Sequence, residues 1–277
     1  MAHSYLKKSM TIDISIVTYK PEGIFRVAKM VLPPLPGVSY VVSWQDHRNT
    51  PIPDALKRPD ITILRFDGYG LSENRNNVIA NCKADIVLIA DDDLKLFPDG
   101  IRQLISTFES TSVDVATYRS IMPHKIIYPT HECKLSANLP KNYSVRSFEI
   151  AIRRATAGHL RCCPELGLTH RMHGGEDEIL LYTAIKHGLD CRFFPITISE
   201  HDHPSTGDKA SFTDCNLRAF GCVIALMNPF TAILRIPLKG WRISRAGKAS
   251  LPRALFFLSQ GALEAPFLLH RNKKYLW

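Results

Sequence analysis

Three clusters of acidic and histidine side chains in this sequence could carry chemistry. The first is the run Asp91–Asp93, which follows an apolar stretch over 85–90. Three adjacent carboxylates repel one another, and a hard divalent cation, which prefers oxygen ligands, relieves that repulsion. The alternatives are a solvated turn and a cap for a helix starting near Pro98. We favour a metal site, because open α/β sheets bind ligands beyond the carboxyl ends of their strands.

The second cluster is Gly174-Gly175-Glu176-Asp177-Glu178, at the start of a predicted helix. The helix dipole favours the ionised form of carboxylates in the first turn, and an ionised carboxylate at an accessible helix end can act as a general base. Acidic residues are common in first turns for purely structural reasons. The two glycines favour the functional interpretation, because they let a ligand approach the backbone.

The third cluster is Glu200-His201-Asp202-His203, directly after a predicted strand. A histidine at a strand end is a candidate metal ligand. The alternative is a surface or capping histidine, since the chain contains 11 histidines and one could fall here by chance.

Alternating strand and helix patterns over the first 120 residues must position these clusters. Apolar β-branched runs predict the strands, and Pro or Ser at the start of the intervening stretches predicts the helices. This order is typical of an α/β protein with an open, mostly parallel sheet covered by helices. The predicted strands cover 12–18, 38–44, 61–66, 85–90, 113–118, 144–154 and 191–199, and the predicted helices begin at Pro21, follow a cap at Ser72, and cover 98–110 and 176–188.

The net charge is concentrated at one end of the chain. The 277 residues are 45% apolar and 22% charged, which excludes a disordered, collagen-like or coiled-coil chain. Residues 218–277 hold ten Lys or Arg and one acidic residue, Glu264, and so account for the whole net charge of +9. This segment is predicted to be mainly helical, and any anionic partner inferred from the charge belongs to it.

The cysteine pattern predicts reduced thiols in a cytosolic protein. The seven cysteines are odd in number, form no CxxC motif and fit no zinc-site spacing. The apolar run that ends at Thr18 contains Asp13, so it is too short and too polar for a signal peptide. The apolar stretch 219–227 has nine residues, whereas a membrane-spanning helix needs about 20.

Together the clusters resemble the nucleotide-sugar glycosyltransferases of family 2, which have the GT-A fold. The resemblance covers roughly 12–207, and the segment 70–93 is its most specific part. It is carried by ISIVTYK on the first strand, GLSENRNNVIANCKADIVLIADDD (70–93), GGEDEIL (174–180) and ISEHDHPSTG (198–207).

The resemblance implies roles on the donor side. It assigns Thr18 and Tyr19 to the nucleotide base, Arg75 to a donor contact, Asp91 to the ribose and as a candidate metal ligand, and Asp93 to a metal bridging the diphosphate.

Two positions depart from the family pattern. Lys20 stands where the family usually has Asn, and the second strand ends in Ser43-Trp44-Gln45-Asp46 where an Asp pair usually reads the base. Either Gln45 or Asp46 takes that role, and a Gln there could tolerate a base other than uracil.

On the acceptor side, the resemblance assigns Asp177 as the general base and Glu176 as an acceptor contact. His201 becomes a further metal ligand, with His203 as the alternative. The implied cofactor is a divalent cation, Mn²⁺ or Mg²⁺. A cation neutralises the charge that develops on the leaving phosphate, and one displacement at the anomeric carbon inverts its configuration.

The implied function is inverting transfer of a sugar from a nucleotide-diphosphate donor, a UDP-sugar, to a hydroxyl of a glycan or lipid-linked glycan. We expect a GT-A domain over 10–215 and a basic extension over 216–277. We expect a cytoplasmic protein whose extension contacts the inner face of an anionic membrane, or else packs on the core.

Three other functions compete with this one. A nucleotidyltransferase would need a Gly-rich phosphate loop after the first strand, where TYKPEG has one Gly. A non-catalytic membrane-surface scaffold fits the basic tail but not the retention of all three clusters. Nucleic-acid binding is disfavoured, because the basic residues are interleaved with Phe, Leu and Trp rather than clustered.

Overall fold

The computed structural model describes residues 9–123, 126–141, 143–168, 171–202 and 212–276. Within these residues, nine strands form a central sheet in the order β3-β2-β1-β4-β8-β6-β11-β5, and β7 pairs with β11. The strands are Ile12–Tyr19 (β1), Val38–Gln45 (β2), Ile61–Phe66 (β3), Ile86–Asp91 (β4), Leu94–Leu96 (β5), Val115–Ile121 (β6), Cys133–Lys134 (β7), Ile150–Arg153 (β8) and Cys191–His201 (β11), and a separate pair comprises Gly167–Leu168 (β9) and His173–Gly174 (β10).

Helices cover the sheet and continue to the C-terminus. The predicted α/β sheet with covering helices is confirmed. The helices are Gly23–Met30 (α1), Leu71–Asn81 (α2), Pro98–Ser110 (α3), Arg154–Ala157 (α4), Glu176–Lys186 (α5), Asp214–Met227 (α6), Ala232–Arg245 (α7) and Leu251–Arg271 (α8), with single 3₁₀ turns at Asp54–Leu56 and Ser147–Glu149.

The parallel strands β3, β2, β1 and β4 form the half of the sheet that positions the first acidic cluster. The register pairs Thr18 with Trp44 and Val17 with Asp91, so the carboxyl ends of three strands lie at one edge. All but the last residue of β1 are buried, including the polar Asp13 and Ser15 that alternate with its isoleucines. The buried hydroxyl of Ser15 donates to the carbonyl of Leu88 at 2.9 Å, so this polar group on β1 is satisfied.

Three local predictions differ from the structure. The helix α1 begins at Gly23 rather than at Pro21, which lies in the turn before it. The helix α2 begins at Leu71, and Ser72 does not cap it. The hydroxyl of Ser72 instead donates a hydrogen bond of 2.8 Å to the carbonyl of Leu166. The predicted strand over 144–154 is shorter, since a 3₁₀ turn precedes β8. The strand β8 inserts antiparallel between β4 and β6, a placement that depends on its neighbours rather than on its own sequence.

The C-terminal segment is helical, as predicted, and packs through two close glycine contacts. A Cβ at Gly221 of α6 would collide with the carbonyl of Leu258 in α8, and a Cβ at Gly261 of α8 would collide with the carbonyl of Arg218 in α6. The helix α6 begins at Asp214 with a capping box between Thr213 and Asn216. In the described residues, no helix is both long and apolar enough to cross a membrane.

We predict that Gly261→Ala lowers the free energy of unfolding. Alanine normally stabilises a helix relative to glycine by about 0.5–1 kcal/mol, but here its methyl group must force α6 and α8 apart, at a cost of about 1–3 kcal/mol. Urea unfolding measures the difference. The control is Ser259→Ala at an exposed site on the same helix, which should be neutral or stabilising. A Gly261→Ala protein as stable as that control would contradict the close packing.

Candidate active site

A cavity of about 710 Å³ opens at the carboxyl ends of β1, β2 and β4. Its volume lies in the range of about 300–1,000 Å³ typical of ligand pockets. It brings together segments from the first strand to the C-terminal helix α6. The predicted site residues that line it are Thr18, Tyr19, Gln45, Arg75, Asp91, Asp93, Glu176, Asp177 and His201.

The three carboxylates that follow β4 point to three different partners. Asp91 accepts a hydrogen bond from Arg75 at 2.9 Å. Asp92 accepts hydrogen bonds from Nε and Nη2 of Arg26, at 3.0 and 2.7 Å, and from the hydroxyl of Thr18. Asp93 lies 3.3 Å from Nε2 of His201. The repulsion expected within the triplet is therefore relieved at Asp91 and Asp92 by arginines.

The guanidinium of Arg75 joins the first and second clusters. Its side chain is 2% exposed; Nη1 donates to Glu176 at 2.6 Å, and Nη2 donates to Asp91 and to the hydroxyl of Ser147 at 2.9 and 2.7 Å. Burial lowers the pKa of Arg75, but the charges of Asp91 and Glu176 outweigh burial and raise it above its usual value. Arg75 is thus a fixed cation that both carboxylates share.

The helix α5 begins at Glu176 and positions the acidic residues of the second cluster. The carboxylate of Asp177 accepts the backbone N–H of Glu178 at 2.8 Å. Burial raises the pKa of Asp177 well above its usual value, and the charges of Glu176 and Glu178 raise it further against the opposing effect of Arg75. A carboxylate of raised basicity at a cavity wall is suited to accept a proton.

The two glycines before α5 are required by their conformation and by a neighbour. Gly174 and Gly175 have φ of +115° and +86°, in the region that favours glycine. A Cβ at Gly175 would also collide with Val223 of α6. The side-chain amide of Asn216, at the start of the same helix, donates a hydrogen bond of 2.9 Å to the carbonyl of His173. The C-terminal helix α6 thus fixes the turn that carries the second cluster.

The third cluster meets the first through the short strand β5. The antiparallel register places His201 opposite Leu94, directly after Asp93. The imidazole of His201 stacks on Phe148, with ring centroids 5.2 Å apart and planes 2° from parallel, so its orientation is fixed. Within the described parts of the chain, no three His, Cys, Asp or Glu side chains cluster to hold a metal. The alternative ligand His203 lies outside the described residues.

The middle of this chain is similar in sequence to a known protein family. Residues 45–166 match the model of "Glycosyl transferase family 2". The predicted resemblance to glycosyltransferase family 2 is confirmed. The match supports a glycosyltransferase activity and includes Arg75 and the triplet after β4. No curated protein matches the chain in sequence.

Solved structures confirm the predicted GT-A-like fold. The structure of S. aureus TarS 1-349 in complex with UDP is 13% identical, covers 96% of this chain and 88% of its own, and superposes with a TM-score of 0.53. The structure of S. aureus TarS 1-349 in complex with UDP-GlcNAc is also 13% identical with a TM-score of 0.53, and covers 95% of this chain and 73% of its own. At this identity the likeness establishes the fold.

The two predicted candidates for base recognition, Gln45 and Asp46, lie in different positions. Gln45 lines the cavity and donates to the carbonyl of Gly68. Asp46 has a φ of +50°, pairs with Arg48 at 3.2 Å and is not among the described cavity residues. Tyr19, half exposed, presents its ring to the cavity. The position of Gln45 favours it over Asp46 for a ligand contact.

Several cavity residues have roles that sequence reasoning did not assign. Arg26 neutralises Asp92, Ser147 accepts from Arg75, Phe148 supports His201, and Phe220 contributes a wall from α6. Arg26 is one of two cations on an amphipathic helix, and Phe220 resembles any other apolar residue of the tail. Neither carries a sequence signal, because its role depends on the packing of distant elements.

We predict that Arg75→Met destabilises the protein by about 3–5 kcal/mol, because it leaves the buried carboxylate of Glu176 and the partly exposed carboxylate of Asp91 without their cation. Adding Glu176→Gln in the Arg75→Met background should recover part of the loss. The measurement is urea unfolding of the single and double variants. The control is Arg271→Met, which breaks an exposed pair with Glu165 and should have little effect. Equal destabilisation by the two single variants would contradict the role of Arg75.

Proposed function

We propose that this protein is a metal-dependent, inverting glycosyltransferase that moves a sugar from a UDP-sugar to a hydroxyl of a glycan or lipid-linked acceptor. One observation carries the proposal. Arg75 joins Asp91, at the end of β4, to Glu176, at the start of α5, in the same cavity as Asp177 and the Asp93–His201 pair. A donor bound over the strand ends would therefore lie beside a carboxylate of raised basicity.

The donor is assigned from the cavity edge and from the structural comparison. TarS carries UDP in one structure and UDP-GlcNAc in another, which supports a UDP-sugar for this chain. In our proposal Tyr19 stacks on the base, Gln45 hydrogen-bonds to it, and Asp91 accepts from a ribose hydroxyl. Thr18 acts through its bond to Asp92, which holds that turn of the chain in place.

The acceptor hydroxyl loses its proton to Asp177 in this mechanism. The acceptor oxygen forms a bond to the anomeric carbon while the bond from that carbon to the diphosphate oxygen breaks, and the electron pair leaves with the nucleoside diphosphate. A single displacement inverts the anomeric configuration. Glu176, held by Arg75, would contact the acceptor with its second carboxylate oxygen, which is buried and accepts no hydrogen bond from the described residues.

The metal proposal rests on the Asp93–His201 pair. One carboxylate and one imidazole, 3.3 Å apart, are a donor set that a divalent cation accepts, and Asp91 lies nearby on the chain. A cation held there would neutralise negative charge on the leaving diphosphate. Phe148 keeps the imidazole of His201 in one orientation for this role.

The runner-up is a non-catalytic scaffold that keeps the sheet but has lost chemistry. The raised pKa of Asp177 and the exact pairing of Glu176 with buried Arg75 favour an enzyme, since buried charges are costly to retain without a use. A nucleotidyltransferase is less favoured, because the turn after β1 lacks a Gly-rich phosphate loop.

The test is a screen of nucleotide-sugars for hydrolysis or transfer, with and without Mn²⁺ or Mg²⁺. We expect turnover of a UDP-sugar that needs the metal. Asp177→Asn, which cannot take a proton, should cut turnover by about 10² or more while UDP binding is retained. Asp93→Asn should weaken the metal-dependent part of UDP binding.

The matched control for these carboxylates is Asp99→Asn, at an exposed site on α3, which should behave as wild type. Absence of metal-dependent nucleotide-diphosphate binding in the wild-type protein would favour the scaffold. Normal turnover by Asp177→Asn together with an inactive Glu176→Gln would reverse the two roles.

The pH dependence of turnover should report Asp177. Because the pKa of this base is raised by burial and by Glu176 and Glu178, turnover should fall on the acid side at a pH well above the pKa of an ordinary aspartate. Glu178→Gln removes one like charge, so it should lower the pKa of Asp177. The fall in turnover on the acid side should then occur at lower pH. Glu132→Gln, near the opposite end of β11, is the control. If the acid-side fall in turnover occurs at the same pH in Glu178→Gln as in wild type, Asp177 is not the group whose protonation causes it.

We also propose that the C-terminal helices contact an anionic membrane surface. Phe230 is 95% exposed and Ile233 is 78% exposed, with Leu234 and Trp241 also exposed on α7. Arg235, Arg242 and Arg245 lie on the same helix. Exposed apolar side chains among cations are typical of a helix that lies in a membrane interface.

Vesicle sedimentation tests the membrane contact. We expect salt-sensitive binding to anionic vesicles and none to neutral ones, with each Arg near the surface contributing about 1 kcal/mol. Arg242→Gln/Arg245→Gln should therefore weaken binding strongly, whereas Lys57→Gln/Arg102→Gln, which removes two exposed cations elsewhere, should not. If the two double variants bind anionic vesicles equally, the attraction depends on the net charge of the protein and not on α7.

A further inference from the structure

A second cavity, of about 730 Å³, lies between α7 and α8, with α6 beneath it. We propose that this groove binds the hydrocarbon chain of an acceptor lipid whose head carries phosphate. The inference deepens the proposed glycosyltransferase function and rests on it, because it names the class of acceptor. The groove is lined mainly by aliphatic side chains, among them Ala232, Ile236, Pro237, Leu255, Ala262 and Leu263.

The chemistry of the lining selects the ligand. Ser259, with the one side-chain hydroxyl in the described lining, lies at an exposed position on α8. A sugar or nucleotide in this groove would lose hydrogen bonds to water without replacement, whereas a hydrocarbon chain would gain from leaving water. The volume lies within the range of about 300–1,000 Å³ typical of ligand pockets.

The groove is open to the surface that we propose faces the membrane. Ile233 and Leu263, which line it, are both largely exposed. Phe230 and Phe267 are exposed at or near the same ends of these helices. A chain could therefore enter the groove from a membrane without crossing a polar surface.

One turn of α7 separates the groove from the active site. Ile236 lines the groove, and Lys239 lies three residues later on the same helix, so the two side chains are neighbours. The ammonium of Lys239 lies 5.1 Å from the ring centroid of Phe220, which lines the catalytic cavity. A lipid whose chain fills the groove would thus place its anionic head beside Lys239 and its sugar hydroxyls toward Asp177.

Charge complementarity favours an anionic head over a neutral one. Besides Lys239, α7 carries Arg235, Arg242 and Arg245, and it contains no acidic residue. Glu178 is the acidic group that interacts with Lys239 from α5, while Arg242 and Lys248 add positive potential. The cations outnumber the acid, so a phosphate at this position would be attracted.

The experiment measures binding of single-chain alkyl phosphates to the full chain by isothermal titration calorimetry. Each alkyl phosphate is kept below its micelle concentration, and inorganic phosphate serves as the chain-free probe. We expect the affinity to rise with chain length by up to about fourfold per methylene, as for transfer of hydrocarbon out of water. Inorganic phosphate should bind at least tenfold more weakly than decyl phosphate.

Three variants locate the binding site. Ser259→Trp fills the groove from an exposed position, so it should fold normally and weaken decyl phosphate binding at least tenfold. Leu263→Asn should weaken it several-fold, because it places an amide in the aliphatic lining. Phe256→Trp, at an exposed site on α8 outside the described lining, should bind decyl phosphate as wild type does.

UDP binding by the same proteins separates the two proposals. It should be unchanged in Ser259→Trp, since the groove is outside the catalytic cavity. Chain-length-dependent binding without any UDP binding would leave the groove as a lipid site and overturn the glycosyltransferase proposal. An affinity independent of chain length, or equal binding by Ser259→Trp, would overturn the lipid proposal. A wild-type dimer that Ser259→Trp dissociates in sedimentation velocity would assign the groove to a second copy of the chain and also overturn it.

Discussion

A buried positive charge organises this molecule. The guanidinium of Arg75 is out of contact with water, so it must be neutralised by carboxylates that are themselves held in place. Asp91 and Glu176 supply that charge from the end of β4 and the start of α5, and Ser147 supplies a further acceptor. These contacts connect the sheet, α5 and the irregular segment before β8 through one side chain.

The pairing with buried or partly buried cations gives neighbouring acidic residues different surroundings. Asp91 and Asp92 are neutralised by arginines from α2 and α1, which leaves Asp93 directed toward His201. Glu176 is held by Arg75, whereas Asp177 next to it has a raised pKa because it is buried among like charges. Neighbouring carboxylates of one sequence motif thus acquire different chemistry from their partners.

The C-terminal helices are part of the site as well as a surface for other contacts. α6 presses Val223 against Gly175 and contributes Phe220 to the cavity, and α8 is locked to α6 by the contacts at Gly221 and Gly261. The helical segment thus lines the cavity through α6 and also exposes apolar and basic side chains on α7. This arrangement places the proposed lipid groove against α6, whose Phe220 lines the cavity of the proposed chemistry.

The sequence by itself determined most strands and helices of the first 120 residues and the position of Asp91–Asp93 at a strand end, because apolar periodicity and Pro positions act locally. It also indicated the glycine turn before α5. It did not predict the short strand β5, which depends on its pairing with β11. Only the tertiary structure decided which carboxylate meets which cation, since Arg26 and Asp92 are 66 residues apart and Arg75 and Glu176 are 101 apart. The segment before β8 and the role of α6 were likewise beyond local pattern, because each is shaped by elements distant in the chain that pack against it.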